Sequence, residues 1–122
     1  MRTLVGIGGS EDSLRALEVA LARAAAAGDE VTVAVVENPD SPLSVEEVES
    51  RVHDHLEAEG LDAEVCVLEG HAGSQLVDLA DREGFDRIVL GGGETSPLGK
   101  INIGSIGEFV LLNAKTSVTL IR

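Results

Sequence analysis

Two glycine-rich loops hold most of the residues whose types and spacing could do chemistry. The first, GIGGSEDS, runs from Gly6 to Ser13, and the second, GGGETSPLGKINIGS, from Gly91 to Ser105. Neither is a standard nucleotide motif. A dinucleotide fingerprint G-x-G-x-x-G would need glycine where Glu11 stands. A phosphate loop ending at Gly99-Lys100 would need glycine at Glu94, and a Ser or Thr to hold magnesium at Ile101. What the second loop does offer is Gly104-Ser105 at the opening of a helix, where outward-pointing N–H groups and the positive end of the helix dipole suit phosphate. Ser105 with Glu108 also reads as a capping box, and on mechanism alone that is the simpler role.

The remaining reactive side chains point to less. His53 and His55 stand two apart on a predicted helix, so they diverge by about 200° and cannot share a metal. They read as part of a solvated face. His71 follows Gly70 and reads as a helix-start residue ahead of an acid or base. Ser10 and Ser13 have no His and Asp at identifiable spacing, so a nucleophilic triad is not supported. Cys66, the single cysteine, can form neither an internal disulfide nor a zinc cluster and reads as a small core residue.

The elements that must position these loops follow from the hydrophobic period. Short apolar runs at Thr3–Ile7, Val31–Val36, Ala63–Leu68, Arg87–Leu90 and Val118–Ile121 read as strands. Between them, apolar residues recur at helical spacing: Leu14, Leu17, Leu21 and Ala24, stopped by Gly28; Val45, Val48, Val52 and Leu56, opened by a Ser44–Glu47 capping box and ended by Gly60. A third helix carries Leu76, Val77 and Ala80 and closes at Gly84, and a fourth buries Ile106, Phe109 and Val110. Strands that are apolar throughout belong to a parallel sheet covered on both faces. Right-handed crossovers then predict an α/β, Rossmann-like, doubly wound sheet of five strands in one domain spanning residues 1–122. Such sheets bind ligands outside the carboxyl ends of their strands, which are the ends where both glycine-rich loops fall.

Composition sets limits on partners. Of 122 residues, 22 are acidic and nine basic, a formal charge of −13; the nine are seven Arg and only Lys100 and Lys115. A pI near 4.4 without a basic cluster argues against a grip on nucleic acid or attachment to anionic membranes. No apolar run approaches the ~20 residues of a bilayer span and no signal-peptide layout precedes the first strand, so a cytoplasmic domain is expected. Many acids with little Lys also suggest a salt-rich cell interior, since charge repulsion is screened to within ~3 Å at 1 M salt.

Taken together, three segments resemble the universal stress protein family across essentially the whole chain. LVGIGGSEDSLRALEVALARA resembles its first strand, loop and helix; VLEGHAGSQLVDLADREGFDRIVLGGG its third strand to fourth strand; and GSIGEFVLLNAKTSVTLIR its last helix and strand. The resemblance implies a sheet of order 3-2-1-4-5 and a homodimer built through the last strand, Val118–Ile121. In ATP-binding members the signature is G-x2-G-x9-G-[ST]. Gly91 fits its start and Gly104-Ser105 its end, but Glu94 replaces the second glycine. Those members also carry an aspartate at the end of the first strand that contacts the base, where this chain has Gly8, and the adenine would rest near Val36.

These departures shape the expected function. A carboxylate at position 94 stands where phosphate oxygens should approach, with Glu11, Glu37 and Asp40 on neighbouring loops and Lys100 the nearby cation. Magnesium bridging Glu94 to phosphate would offset that repulsion. The expectation is a universal-stress-type homodimer that acts by binding and interaction, without turnover and with ATP binding weak or lost. No cofactor is firmly implied; ATP with magnesium is the one the family's own site would take. One competing reading is an ATP-dependent switch or slow ATPase. Another treats GGSEDS as a version of the pyrophosphate loop S-G-G-x-D-S of adenylating enzymes, with Gly8 for the first serine and Ser10 for the second glycine.

Overall fold

Alternation along the first strand determines how the layers are arranged. In β1 (Arg2–Ile7), Val5 and Ile7 point to one face of the sheet and Leu4 to the other, and all three are fully buried. A computed structural model describes residues 1–91, 94–95, 101–102 and 104–121 of the chain. After β1 come α1 (Glu11–Ala27), β2 (Glu30–Val36), α2 (Val45–Ala58), β3 (Glu64–Leu68), α3 (Ala72–Glu83) and β4 (Arg87–Gly91). Then follow the short strands β5 (Glu94–Thr95) and β6 (Ile101–Asn102), the helix α4 (Ser105–Asn113) and β7 (Ser117–Ile121).

The five main strands are parallel and lie in the order β3-β2-β1-β4-β7. This is the doubly wound sheet that the residue pattern predicts, in the 3-2-1-4-5 order that the family resemblance implies. Central ladders such as Val5↔Val33 and Val5↔Val89 place β-branched side chains beside one another on the pleat.

One apolar layer joins Val5, Ile7, Val33, Val35 and Val89 to Leu17 and Leu21 of α1 and to Val48, Val52 and Leu56 of α2. The opposite layer joins Leu4, Ala34, Val36, Ile88 and Leu90 to Leu76 and Ala80 of α3 and Val110 of α4. Gly6 is small because this second layer is tight: a Cβ there would sit 2.8 Å from Leu90 Cδ2 and 2.9 Å from Leu76 Cδ1. Each fully buried Leu or Val in these layers contributes about 1.5–3 kcal/mol of burial free energy. α1 and α3 close on Gly28 and Gly84, whose N–H groups donate to Ala24 O and Ala80 O.

Three features differ from the sequence expectation. The β4 ladder extends one residue further, because Gly91 pairs with Ile121; the first glycine of the triplet belongs to the sheet. The long loop after β4 contains an antiparallel pair, Glu94↔Asn102 and Thr95↔Ile101, too short to leave a hydrophobic period in the sequence. Finally, the Ser105–Glu108 capping box does not form. The N-cap of α4 is Gly104, at φ 82° and ψ 164°, and no side chain caps that helix. Glycine enters this left-handed region freely, so the helix begins one residue earlier than Ser105 could cap it. Ser44 does cap α2, accepting from Glu47 N–H at 3.2 Å, while its hydroxyl hydrogen-bonds the Glu47 carboxylate at 3.1 Å.

Candidate functional site

The loop from β1 to α1 is held by its own hydrogen bonds. Ser10 is the N-cap of α1: its Oγ accepts from Ser13 N–H at 3.0 Å. The buried Ser13 hydroxyl donates to Ser10 O at 2.8 Å and accepts from Gly9 N–H at 3.2 Å. Both serines therefore have structural work, and two N–H groups that a bound phosphate would need are already engaged. Glu11 and Asp12 fill the first turn of α1, where they suit the helix dipole and repel a second anion. That accounting weighs against a pyrophosphate loop.

Beside this loop, at the carboxyl ends of β1 and β2, opens a cleft of about 470 Å³. Its apolar surface comes from Val36, Leu43, Val45 and Val48, and its polar surface from Glu37, Asn38 and Ser44, with Gly8 and Pro39 between them. The wall opposite Gly8 is the segment between β2 and α2, a chain of local turns. Asn38 Oδ1 accepts from Asp40 N–H at 3.1 Å, Asn38 O from Ser41 N–H at 3.0 Å, and Ser41 Oγ from Leu43 N–H at 3.1 Å.

The wall presses close to the loop that follows β1. At Gly9, with φ 90°, a Cβ would collide with Ser41 Oγ and sit 2.8 Å from Val48 Cγ2. At Gly8 the nearest atom to a Cβ would be Asn38 Nδ2, at 3.2 Å. Glu37 turns toward the other side of β2, its Oε2 accepting from Gly70 N–H at 3.3 Å. An apolar floor with a few polar groups at one edge suits a flat heteroaromatic ring.

Gly8 and Val36, both singled out from the sequence, thus line one cleft. Gly91, Gly104 and Ser105 are not among its lining residues. Gly91 packs on the first turn of α1, where a Cβ would collide with the Asp12 carbonyl oxygen and come within 2.6 Å of Ser13 Cα. Its smallness has a packing cause independent of any phosphate. Gly104 accepts from Glu108 N–H at 3.0 Å, and Ser105 is an exposed first helical residue. Glu94 lies in β5, while Gly92, Gly93 and Lys100 lie outside the described residues.

Elsewhere, His71 is the N-cap of α3, its Nδ1 accepting from Ser74 N–H at 3.1 Å, and its ring meets Phe109 edge-on at 4.8 Å. His55 approaches Glu18 at 4.0 Å, and His53 is exposed. Among the described residues, no group of three His, Cys, Asp or Glu is arranged to hold a metal. Cys66 is half-buried against the α3 layer; burial, and secondarily the Glu64 carboxylate, push its thiol pKa upward. Sequence reasoning did not single out Asn38. The Asn-Pro-Asp run after β2 is a turn signal, and a strand-end turn facing a glycine loop marks a cleft wall.

A doubly wound parallel sheet with an open cleft at its strand carboxyl ends defines an α/β domain of the class whose ligands bind at those strand ends. The chain belongs to the universal stress protein family, whose model matches residues 1–122. No curated protein matches it. Among solved structures, it is similar to a universal stress protein from Archaeoglobus fulgidus (26% identity, TM-score 0.81, covering 100% of this chain and 98% of that one). It is also similar to a universal stress protein in complex with cAMP (28% identity, TM-score 0.76, covering 100% and 96%). A third, the Archaeoglobus fulgidus protein in complex with dAMP, is 23% identical at TM-score 0.74 over 100% and 98%, a likeness of fold alone. Among the described residues no helix is long and apolar enough to cross a membrane.

Proposed function

We propose that this domain works by binding and not by turnover: the cleft between Gly8 and Asn38 takes the base of a nucleotide, and ATP is held weakly or not at all. The observation that carries this reading is the cleft itself, an apolar recess of about 470 Å³ at the strand ends where such folds bind ligands. A universal stress protein 28% identical over the whole chain was solved with cAMP, a purine nucleotide, which supports the ligand class. Weak ATP binding rests on charge. Glu11 and Asp12 begin α1, Glu37 and Asp40 flank the cleft, and Glu94 replaces a glycine of the family's ATP signature. The further phosphate groups of ATP bring added negative charge to that rim, where it is opposed by like charge.

The reading includes a homodimer through β7 in the cytoplasm. β7 is the outer strand of the sheet beyond β4, and an outer strand offers backbone N–H and C=O groups to a partner. Leu111 and Leu112 of α4, the element just before it, are exposed, consistent with an apolar surface near that edge. Size-exclusion chromatography in high KCl tests the dimer, and a monomer there overturns it. For the ligand, purified protein is denatured and the supernatant examined for purine absorbance. The refolded or nucleotide-free protein is then titrated with AMP, cAMP and MgATP. Monophosphates binding more tightly than MgATP is the expected result. Stoichiometric co-purified ATP, or measurable ATP hydrolysis, would instead establish the nucleotide-dependent switch.

A further inference from the structure

The sheet has two outer strands, and the homodimer reading uses only β7. The other is β3, which pairs with β2 in unbroken register from Thr32↔Glu64 to Val36↔Leu68. Outer strands are commonly protected by Lys, Pro or a bulge, and β3, EVCVL, has none of the three. Among the described residues the exposed large apolar side chains are Met1, Val67, Leu111 and Leu112. Val67, 37% exposed, belongs to one outer strand, and Leu111 and Leu112 to the helix that leads into the other.

Alternation gives the β3 edge two rows of side chains. Cys66 and Leu68 pack on the α3 layer and Val65 on the α2 layer, which puts Glu64 in the first row and Val67 in the second. The surroundings are acidic. Asp62, Glu64 and Glu69 are exposed, and among the described residues none of the three has a basic group within ion-pair distance. A strand laid along β3 sets its own side chains beside those of the same row. Apolar residues match Val65 and Val67, while lysine or arginine in the other row matches Glu64 and covers half-buried Cys66 with its aliphatic stem. We propose that the β3 edge docks an extended segment of another protein in which basic and apolar residues alternate, taken up by strand addition. A second copy of this chain is the poorer occupant, because it brings a further charge of −13 to an acidic edge. The docking site is independent of the cleft and leaves β7 free for the homodimer.

The test is fluorescence anisotropy of a labelled heptapeptide of alternating lysine and valine, in about 0.15 M KCl, joined to hydrogen exchange of the protein. The peptide is expected to bind and to slow amide exchange across β3, with β7 unchanged. A heptapeptide of equal charge with proline in place of valine cannot extend the ladder and is expected not to bind. Val67→Lys puts a charge at an exposed position where the added strand needs an apolar contact, and should weaken the peptide roughly tenfold. Glu108→Lys makes a larger charge change on exposed α4 surface beside β7, and should leave the affinity near that of the wild type. Circular dichroism verifies that each variant is folded. Failure of the alternating peptide to bind folded wild-type protein overturns the proposal. Equal binding of the proline peptide, or equal weakening by Val67→Lys and Glu108→Lys, also overturns it, because the attraction would then be diffuse charge. Slowed exchange at β7 instead of β3 places the peptide on the wrong edge. Protection of β3 that grows with protein concentration in the absence of peptide makes a second copy the occupant, and the basic segment is then excluded.

Discussion

Gly91, the last residue of β4, lies directly against the carbonyl group of Asp12 in the first turn of α1. The obstacle is backbone on both sides, so neither partner can rotate away as a side chain would. Gly91→Ala is therefore expected to destabilise the fold by about 3 kcal/mol, the upper part of the usual range for overpacking. Urea titration reads this as a lower midpoint at unchanged slope. Wild-type stability combined with lost nucleotide affinity would show that Gly91 is kept small for a phosphate and not for α1.

A second prediction concerns the phosphate end of the family signature. Restoring its glycine by Glu94→Gly removes a like charge, and Gly8→Asp supplies an acceptor beside the base. The double variant is expected to bind MgATP roughly tenfold or more tightly than the wild type. At position 8 the new side chain meets Asn38 Nδ2 at 3.2 Å from its Cβ, a contact the amide can turn into a hydrogen bond by moving a few tenths of an ångström. Unchanged ATP affinity would mean that these positions do not govern the site.

The sheet and its covering helices are legible in the sequence, and the loop geometry is not, for one physical reason. Hydrophobic period is local, whereas caps and cleft walls depend on backbone angles and long-range contacts. Continuous apolar strands and helical-period runs determine which faces are buried, so Val31–Val36 and the Leu14–Ala24 stripe were sufficient to give the sheet and its covering helices. The cap of α4 was not legible, because it depends on the backbone angle of Gly104, and Ser105 with Glu108 has the composition of a cap without its position. The role of Asn38 was hidden for another reason. Its partner at the cleft edge is Gly8, 30 residues away, and only the folded turn between β2 and α2 brings them together.

Cys66 gives a pH prediction. Desolvation, helped by Glu64, raises its thiol pKa in the folded state, so the native protein holds this proton more tightly than the unfolded chain. The stability from this group is complete below the unfolded-state pKa and is lost as pH rises through the folded-state value. Alkylation by iodoacetamide, which needs the thiolate, should be slower in native than in urea-unfolded protein, with its rise displaced to higher pH. Glu64→Gln should move that rise part of the way back. Coincident native and unfolded profiles would contradict the assigned cause.

The charge of −13 leads to the last prediction. Arg15 pairs with Asp12, and Arg82 with Asp78 and Glu83, but 22 acids face only nine Arg and Lys, so most carboxylates have no basic partner to meet. Their mutual repulsion acts over about 10 Å at 0.1 M salt and about 3 Å at 1 M. The melting temperature is therefore expected to rise with KCl, a salt that screens charge without strongly favouring burial. Screening predicts a second result that a general salt effect does not. Glu57 and Asp81 are exposed acids in the last turns of α2 and α3, where negative charge also opposes the helix dipole. Glu57→Lys with Asp81→Lys should raise the melting temperature in dilute buffer and flatten its dependence on KCl. If the wild type does not gain stability with salt, the acidic balance is not an adaptation to a salt-rich interior. If it gains and the double variant keeps the same slope, the gain comes from salt acting on burial, and charge repulsion is not its cause.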